Sequence, residues 1–202
     1  MDLTTQHKWD RAARNFDFMT GKGPDWRWGP HKRELFAAMQ GKILFLALGT
    51  GLDIEFFPPG QDITAIDISP KMLARAAPRI AAYPGQIDAR VADVHELDFP
   101  DHHFDQIYTS CTFCSIPDPV AGLRSLRRVL KPKGMLAMFE HTGSRYFPFN
   151  LMLHAMTPLS RRVGPDMNRN TTDNVKRAGF KIVELKHIYL DVVKTIKARP
   201  VI

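Results

Sequence analysis

The sequence predicts an α/β protein: a largely parallel sheet of seven strands with helices on both faces. Three observations predict it. From residue 42 onward, short apolar runs of strand length alternate with amphipathic stretches of helix length, which is how strands joined by crossover helices are written. The first run, Ile43–Leu48, is apolar at every position, as a strand buried on both faces requires. It runs directly into a glycine turn, Gly49-Thr50-Gly51, where a sheet of this kind turns into the layer above it.

The remaining elements follow in order. Ile63–Ile68 reads as the second strand, and Pro70–Ala82 as a helix with Ser69 placed to cap it. Ile87–Val91 and Phe104–Thr109 give strands three and four. From Asp118 to Leu130 the residues Val120, Leu123, Leu126, Val129 and Leu130 share one helical face, and Pro119 suits a first helical position. Lys131-Pro132-Lys133-Gly134 stops that helix, and Met135–Phe139 makes strand five. Thr172–Ala178 is a short helix stopped at Gly179, and Phe180–Ile188 with Val192–Ala198 closes the sheet as an antiparallel pair.

Two segments lie outside this core: a helical extension, residues 1–40, ahead of a catalytic domain spanning 41–202, and an irregular insertion, Ser144–Arg169, after strand five. Ligands of open α/β sheets bind beyond the carboxyl ends of the strands, so both additions are expected to act as lids. The chain has 202 residues, 44% of them hydrophobic and 24% charged, the values of one ordered globular unit. Its net charge of +7 favours anionic partners without choosing between lipid headgroups and nucleic acid. The opening MDLTTQHKWD carries an early acid and no apolar core, so no export signal is expected. The longest apolar stretch, 147–159, is broken by two prolines and falls short of the ~20 residues of a spanning helix. Two cysteines, Cys111 and Cys114, do not make a metal site, and no metal is expected.

Four strand ends converge on one crevice. Glycines at 49 and 51 let a ligand approach the backbone; Asp67, at the tip of strand two, stands about twenty residues after the glycine turn, where nucleoside-binding sheets place the acid that takes both ribose hydroxyls. Asp93 and Val94 follow strand three as a carboxylate and an apolar residue suited to an adenine edge and face. Tyr108-Thr109-Ser110-Cys111-Thr112-Phe113 ends strand four. A nicotinamide dehydrogenase is disfavoured, because no Tyr-x-x-x-Lys or comparable hydride-transfer set is present.

Taken together, LALGTGLD, TAIDISPKML, VADVHELDF and LRRVLKPKGMLAMFE resemble the ordered motifs of the class I S-adenosylmethionine-dependent methyltransferases, over residues 42–141. That resemblance implies a Rossmann-like seven-stranded fold and S-adenosyl-L-methionine as cofactor, with S-adenosyl-L-homocysteine as product. It implies that Gly49 and Gly51 approach the methionine moiety and that Asp67, next to Ile68, holds the ribose. Met72 and Val94 would flank the adenine, Asp93 would accept from its exocyclic amine, and Ser110 and Cys111 would line the methyl end. Asp53 stands where the family often has a third glycine.

The acceptor has to be argued from the added segments. Trp9 and Phe16 fall at helical spacing with Lys8, Arg11 and Arg14 beside them, a basic amphipathic helix suited either to an anionic membrane surface or to covering the cleft. The insertion is apolar and Met-rich, with Arg145, Arg161 and Arg169 available to grip a phosphate and Trp26 and Trp28 to face a quaternary ammonium. LTTQHKWDRAARNFD, SCTFCSIPDPVAGLRSLRRVLKPKGM, FEH and RNTTDNVKRAGF also resemble the bacterial phospholipid N-methyltransferases, which carry phosphatidylethanolamine to phosphatidylcholine. This likeness implies a phospholipid acceptor at an anionic membrane surface, a cytoplasmic enzyme held at the inner face of the membrane, and neither nucleic acid nor an obligate protein partner. His141, Glu140 and Tyr146, near the end of strand five, are the candidates for proton removal, with Asp17 a weaker one. A thiol or another amine on the same fold is the alternative acceptor.

Overall fold

A computed structural model describes residues 1–20, 24–163 and 165–201, with the backbone alone for 19–20, 24–26 and 161–163. The sheet has seven strands: β1 (Ile43–Leu46), β2 (Asp62–Asp67), β3 (Gln86–Val91), β4 (Phe104–Ser110), β5 (Leu130–His141), β6 (Phe180–Tyr189) and β7 (Val193–Pro200). Their spatial order is β3-β2-β1-β4-β5-β7-β6. β1 to β5 run parallel and β6 pairs antiparallel with β7, as the sequence predicts; β7 also pairs antiparallel with β5. The order reverses beside β1, so the crevice between the ends of β1 and β4 is the topological switch point where such sheets bind ligands.

Among the described residues seven helices accompany the sheet: α1 (Leu3–Ala12), α2 (Phe16–Thr20), α3 (Pro24–Phe36), α4 (Pro70–Ala82), α5 (Pro119–Val129), α6 (Phe149–Val163) and α7 (Thr171–Arg177). Apolar clusters form on both sheet faces. One packs Leu123, Leu126 and Val129 of α5 and Val175 of α7 over the sheet; the other packs Leu35 and Phe36 of α3 and Ala76 of α4. β1, at the centre, has no residue more than 4% exposed, so its uniform apolarity has two cores to fill. Capping starts the helices: the Ser69 hydroxyl accepts from the Met72 amide at 3.1 Å, and Asp118 accepts from Val120 and Ala121.

Three boundaries differ from expectation. β5 begins at Leu130, so Lys131–Gly134 is an irregular part of the strand, tied to β4 by a register shift and by Lys131 pairing with Asp105 at 2.7 Å. The amphipathic stretch at the N-terminus breaks after Ala12 into α1 and α2, and the insertion, expected to be irregular, contains α6. No helix among the described residues is long and apolar enough to cross a membrane.

Candidate functional site

The cleft above the switch point is built from backbone that few side chains tolerate. Gly49 (φ 61°) and Gly51 (φ 81°) are left-handed, and so are Ala47 (φ 58°) and Cys111 (φ 51°) at the ends of β1 and β4. A non-glycine residue in this region costs on the order of 1–2 kcal/mol, so two such residues facing one cleft mark a turn shaped for a ligand. A β-carbon added at Gly49 meets only Phe16, at 4.0 Å, so the space over this turn is open. Asp53, by contrast, is not left-handed: it lies in a short 3-10 turn and pairs with the buried Lys32 at 2.6 Å. Asp53, which stands where the resembled family often has a third glycine, thus occupies a backbone position that does not require one.

Two carboxylates face the open space. Asp67 is 7% exposed and accepts from the Gly49 and Ser69 amides, both at 2.8 Å; burial raises its pKa to about 6 against the help of those amides. Asp93 is pushed upward by burial, but the amides of His95 and Asp2 and the His95 ring at 2.8 Å outweigh this and hold it below the ordinary value. Asp67, Ile68, Met72, Asp93, Val94, Gly49, Ser110 and Cys111 all line one cavity of about 160 Å³. An extended nucleoside with a charged sulfur fits this set: Asp67 for the ribose hydroxyls, Met72 and Val94 for the adenine faces, Asp93 for its amine, and the open backbone at Gly49 for the amino-acid end. Gly51 is absent from the wall; its part is the left-handed turn, where a β-carbon would lie 2.9 Å from Ile54.

The N-terminal helices close this cavity, which the sequence left open as one of two roles. Asp2, Thr5, Trp9 and Phe16 line it, and Trp9 meets Phe16 edge to face at 6.2 Å. One backbone amide and two acids fasten the lid. The Asp2 amide donates to Asp93, Asp10 accepts from the Ser69 hydroxyl at 2.5 Å, and Asp17 accepts from Thr50 at 2.5 Å and from Arg79 at 3.0 Å. Asp17 is thereby occupied as a tie and not available as a base. A sequence signal existed: acids at 2, 10 and 17 stay on one side of a helical segment otherwise dominated by bases. Of the proposed membrane set, Trp9 and Phe16 turn inward, Lys8 is half-buried, and Arg11 and Arg14 face solvent; Phe18, 93% exposed, is the aromatic that faces out.

The proton-removal candidates separate. Glu140 is fully buried and accepts from the Thr109 hydroxyl (2.7 Å) and the amides of Thr112 (3.3 Å) and Phe113 (3.1 Å); burial raises its pKa to about 7. Its carboxylate thus positions the loop after β4 and does not reach the cleft. Tyr146 is 66% exposed. The His141 ring is held below its ordinary pKa by burial and by Lys194, and its Nδ1 is buried without a hydrogen-bond partner.

The other acceptor candidates are scattered. Trp28 packs against Tyr189 (6.0 Å) and Phe139 (6.3 Å), with the Arg27 guanidinium already over its ring at 4.8 Å. Arg145 is exposed, and Arg169 donates to the Ile116 carbonyl at 3.2 Å at the rim of the cavity. The side chains of Trp26 and Arg161 lie outside the described residues. Cys111 is exposed and opens onto the cleft.

An open sheet with this strand order, a glycine turn and two strand-end acids over a nucleoside-sized cleft defines a nucleoside-cofactor transferase. Residues 44–138 match the family model described as methyltransferase domain. The ubiquinone/menaquinone biosynthesis C-methyltransferase UbiE of Geotalea daltonii is 32% identical, the match covering 74% of this chain and 68% of that one. The human thiol S-methyltransferase TMT1B is 29% identical (77% and 69% covered), and the phosphatidylethanolamine N-methyltransferase of Cereibacter sphaeroides 27% (74% and 74%). The chain belongs to the class I S-adenosylmethionine-dependent methyltransferases, and S-adenosyl-L-methionine is its cofactor.

Proposed function

We propose that the enzyme methylates the amine of a phospholipid of the phosphatidylethanolamine type, and its methylated intermediates, while resting on an anionic membrane surface from the cytoplasmic side. One observation carries this reading. α6, rooted at the carboxyl end of β5, buries Leu153 and Thr157 and turns Leu151 (62% exposed), Met152, Met156 and Leu159 (70%) to the outside, with Phe147 (79%) just before it. Residues 144–163 contain three arginines and no acid, so the segment that carries this apolar face is basic. Exposed apolar surface of this extent on a basic segment suits a lipid interface, where acyl chains and anionic headgroups meet it together. The relative named as a phosphatidylethanolamine N-methyltransferase agrees with it.

The bound cofactor supplies an electrophilic methyl group on a sulfonium. The protein's work is positional: Asp67 and Asp93 fix the nucleoside, and the left-handed turns at Ala47 and Cys111 shape the space in which amine, methyl and sulfur must be collinear. Trp9, Phe16 and Ile116 wall the acceptor end and keep it dry. An ammonium entering a space walled by Trp9, Phe16 and Ile116 gives up its proton more readily than in water.

A thiol acceptor is the second reading, supported by the thiol S-methyltransferase relative and by an acceptor end without a free carboxylate, since a thiol ionises more easily than an ammonium. Enzyme given labelled cofactor with phosphatidylethanolamine vesicles, an alkyl thiol and a quinol decides between them. Label in the mono-, di- and trimethylated headgroups is expected; label in the thiol or quinol alone overturns the phospholipid reading.

A further inference from the structure

A second cavity lies at the other end of the strands from the cofactor cleft. Its volume is about 670 Å³, within the ~300–1,000 Å³ of small-ligand sites, and it rests on the amino-terminal parts of β4 and β5 and the carboxyl-terminal part of β7. β4 serves both cavities: Ser110 lines the cofactor cleft, and Gln106, roughly 13 Å back along the strand at ~3.3 Å per residue, lines this one. The residues explain the hollow. Tyr108, Ala137 and Lys197 stand in register across β4, β5 and β7, so they share one face, and the small Ala137 leaves the row low between its neighbours. Leu35 of α3 and Ala38 just after it supply an apolar wall, and Met135 continues the floor.

The charge around this hollow is nearly all of one sign. Lys131, Lys133, Lys197 and Arg199 line it against a single acid, Asp105. Asp105 is already engaged: Oδ1 accepts from the Lys131 ammonium at 2.7 Å and Oδ2 from the Lys42 amide at 2.9 Å. Lys197 is steadied by Glu184, its register partner on β6, at 3.2 Å. Lys133 and Arg199 are exposed and make no ion pair with any described residue. A neutral donor joins these cations. The Gln106 Oε1 accepts from the Gln40 amide at 2.9 Å and the Tyr108 hydroxyl at 3.1 Å, which orients the carboxamide and leaves its NH2 as the end without a partner among the described residues.

Cations on two adjacent strands, with ~7 Å between alternate residues of a strand, exceed the span of one phosphate and suit a pair of linked phosphates. We propose that this hollow is a second ligand site, for a soluble diphosphate ester of the nucleoside diphosphate class. Lys131, Lys133 and Lys197 supply point charges, Arg199 a bidentate fork and Gln106 a fixed neutral donor, while Leu35, Ala38 and Met135 receive the organic body. The site does not depend on which acceptor the enzyme methylates.

The test uses the full chain saturated with S-adenosyl-L-homocysteine, which keeps adenosine out of the cofactor cleft, and titrates pyrophosphate and ADP by calorimetry at constant ionic strength. One equivalent of each is expected to bind saturably, ADP the more tightly because of the apolar wall. Lys133→Gln with Arg199→Gln, at two exposed positions, should weaken both by at least about tenfold and leave Tm and S-adenosyl-L-homocysteine affinity unchanged. Lys176→Gln with Arg177→Gln removes the same charge from exposed positions of α7 outside the lining and should change neither affinity by more than about twofold. Saturable binding of neither probe would overturn the proposal, as would affinities that Lys133→Gln with Arg199→Gln leaves unchanged. Equal weakening in the two double variants would reduce the effect to net charge and overturn it too. Binding of pyrophosphate without ADP would leave the apolar wall no role and refute the diphosphate-ester assignment.

Discussion

The two ends of the cleft are built on opposite principles. At the cofactor end nearly every polar group is already answered by the protein: Asp67 by the amides of Gly49 and Ser69, Asp93 by those of Asp2 and His95. Beyond the end of β5 the side chains are less answered, with apolar residues of α6 facing out and the His141 Nδ1 buried without a partner. A site for one fixed ligand is preorganised, whereas a site that receives an amphiphile from another phase keeps surface and charge in reserve.

Substitutions that act on one end only sharpen this contrast. Asp67→Ala has the largest expected effect, a loss of about 100-fold or more in cofactor affinity by calorimetry, because two hydrogen bonds to one charged acceptor go together. The same carboxylate sets a pH dependence. Its pKa in the folded protein, about 6, lies above the ordinary value near 3.8, so the fold takes up a proton between these values and the ionised form that binds the ribose is lost as pH falls through 6. Cofactor affinity should be flat above about pH 6.5 and weaken below 6, while the acid limb disappears in Asp67→Asn. An affinity that rises on acidification would contradict the assignment.

Leu151→Asp with Leu159→Asp should reduce sedimentation with anionic vesicles by roughly 10- to 100-fold, given the apolar area removed, and leave calorimetric cofactor binding intact. Loss of both would mean that α6 is structural. Asp17→Ala releases Thr50 and Arg79 from the lid and should weaken cofactor binding by roughly three- to tenfold through faster release, with vesicle binding unchanged. Glu140→Gln should flatten the change of Tm with pH between about 5 and 7. The Glu140 pKa is raised to about 7, so the wild-type fold loses stability as pH rises through that window, and the amide has no proton to lose. The smallest effect belongs to Ala47→Gly, expected to stabilise the protein by about 0.5–1 kcal/mol in denaturant unfolding, because glycine accepts φ 58° without strain.

How much of this was legible in the sequence also divides by region. The parallel strands and the antiparallel closing pair were legible in apolar runs such as Ile43–Leu46, which only a doubly covered strand needs, whereas the strand order that sets the switch point was not. The cofactor acids were legible because their chemistry is tied to strand ends at fixed spacing. The break between α1 and α2 was not: Ala13-Arg14-Asn15 contains no proline or glycine, and the chain turns there because Trp9 and Phe16 gain more by meeting over the cleft than by continuing one helix. Glu140 reads as a free strand-end acid until the loop after β4 folds back and supplies its donors, a contact made across 27 to 31 residues. His141 reads as a strand-end base, because burial of its ring without a partner for Nδ1 is a property of tertiary packing alone.

The account stands on the cleft at the switch point being the cofactor site, with Asp67 as its anchor. Calorimetric titration of the wild type and of Asp67→Ala with S-adenosyl-L-homocysteine tests it most directly. One equivalent bound by the wild type, and binding weakened at least 100-fold in a variant whose circular dichroism and cooperative melting are retained, is the expected result; equal affinity in the two proteins would contradict it.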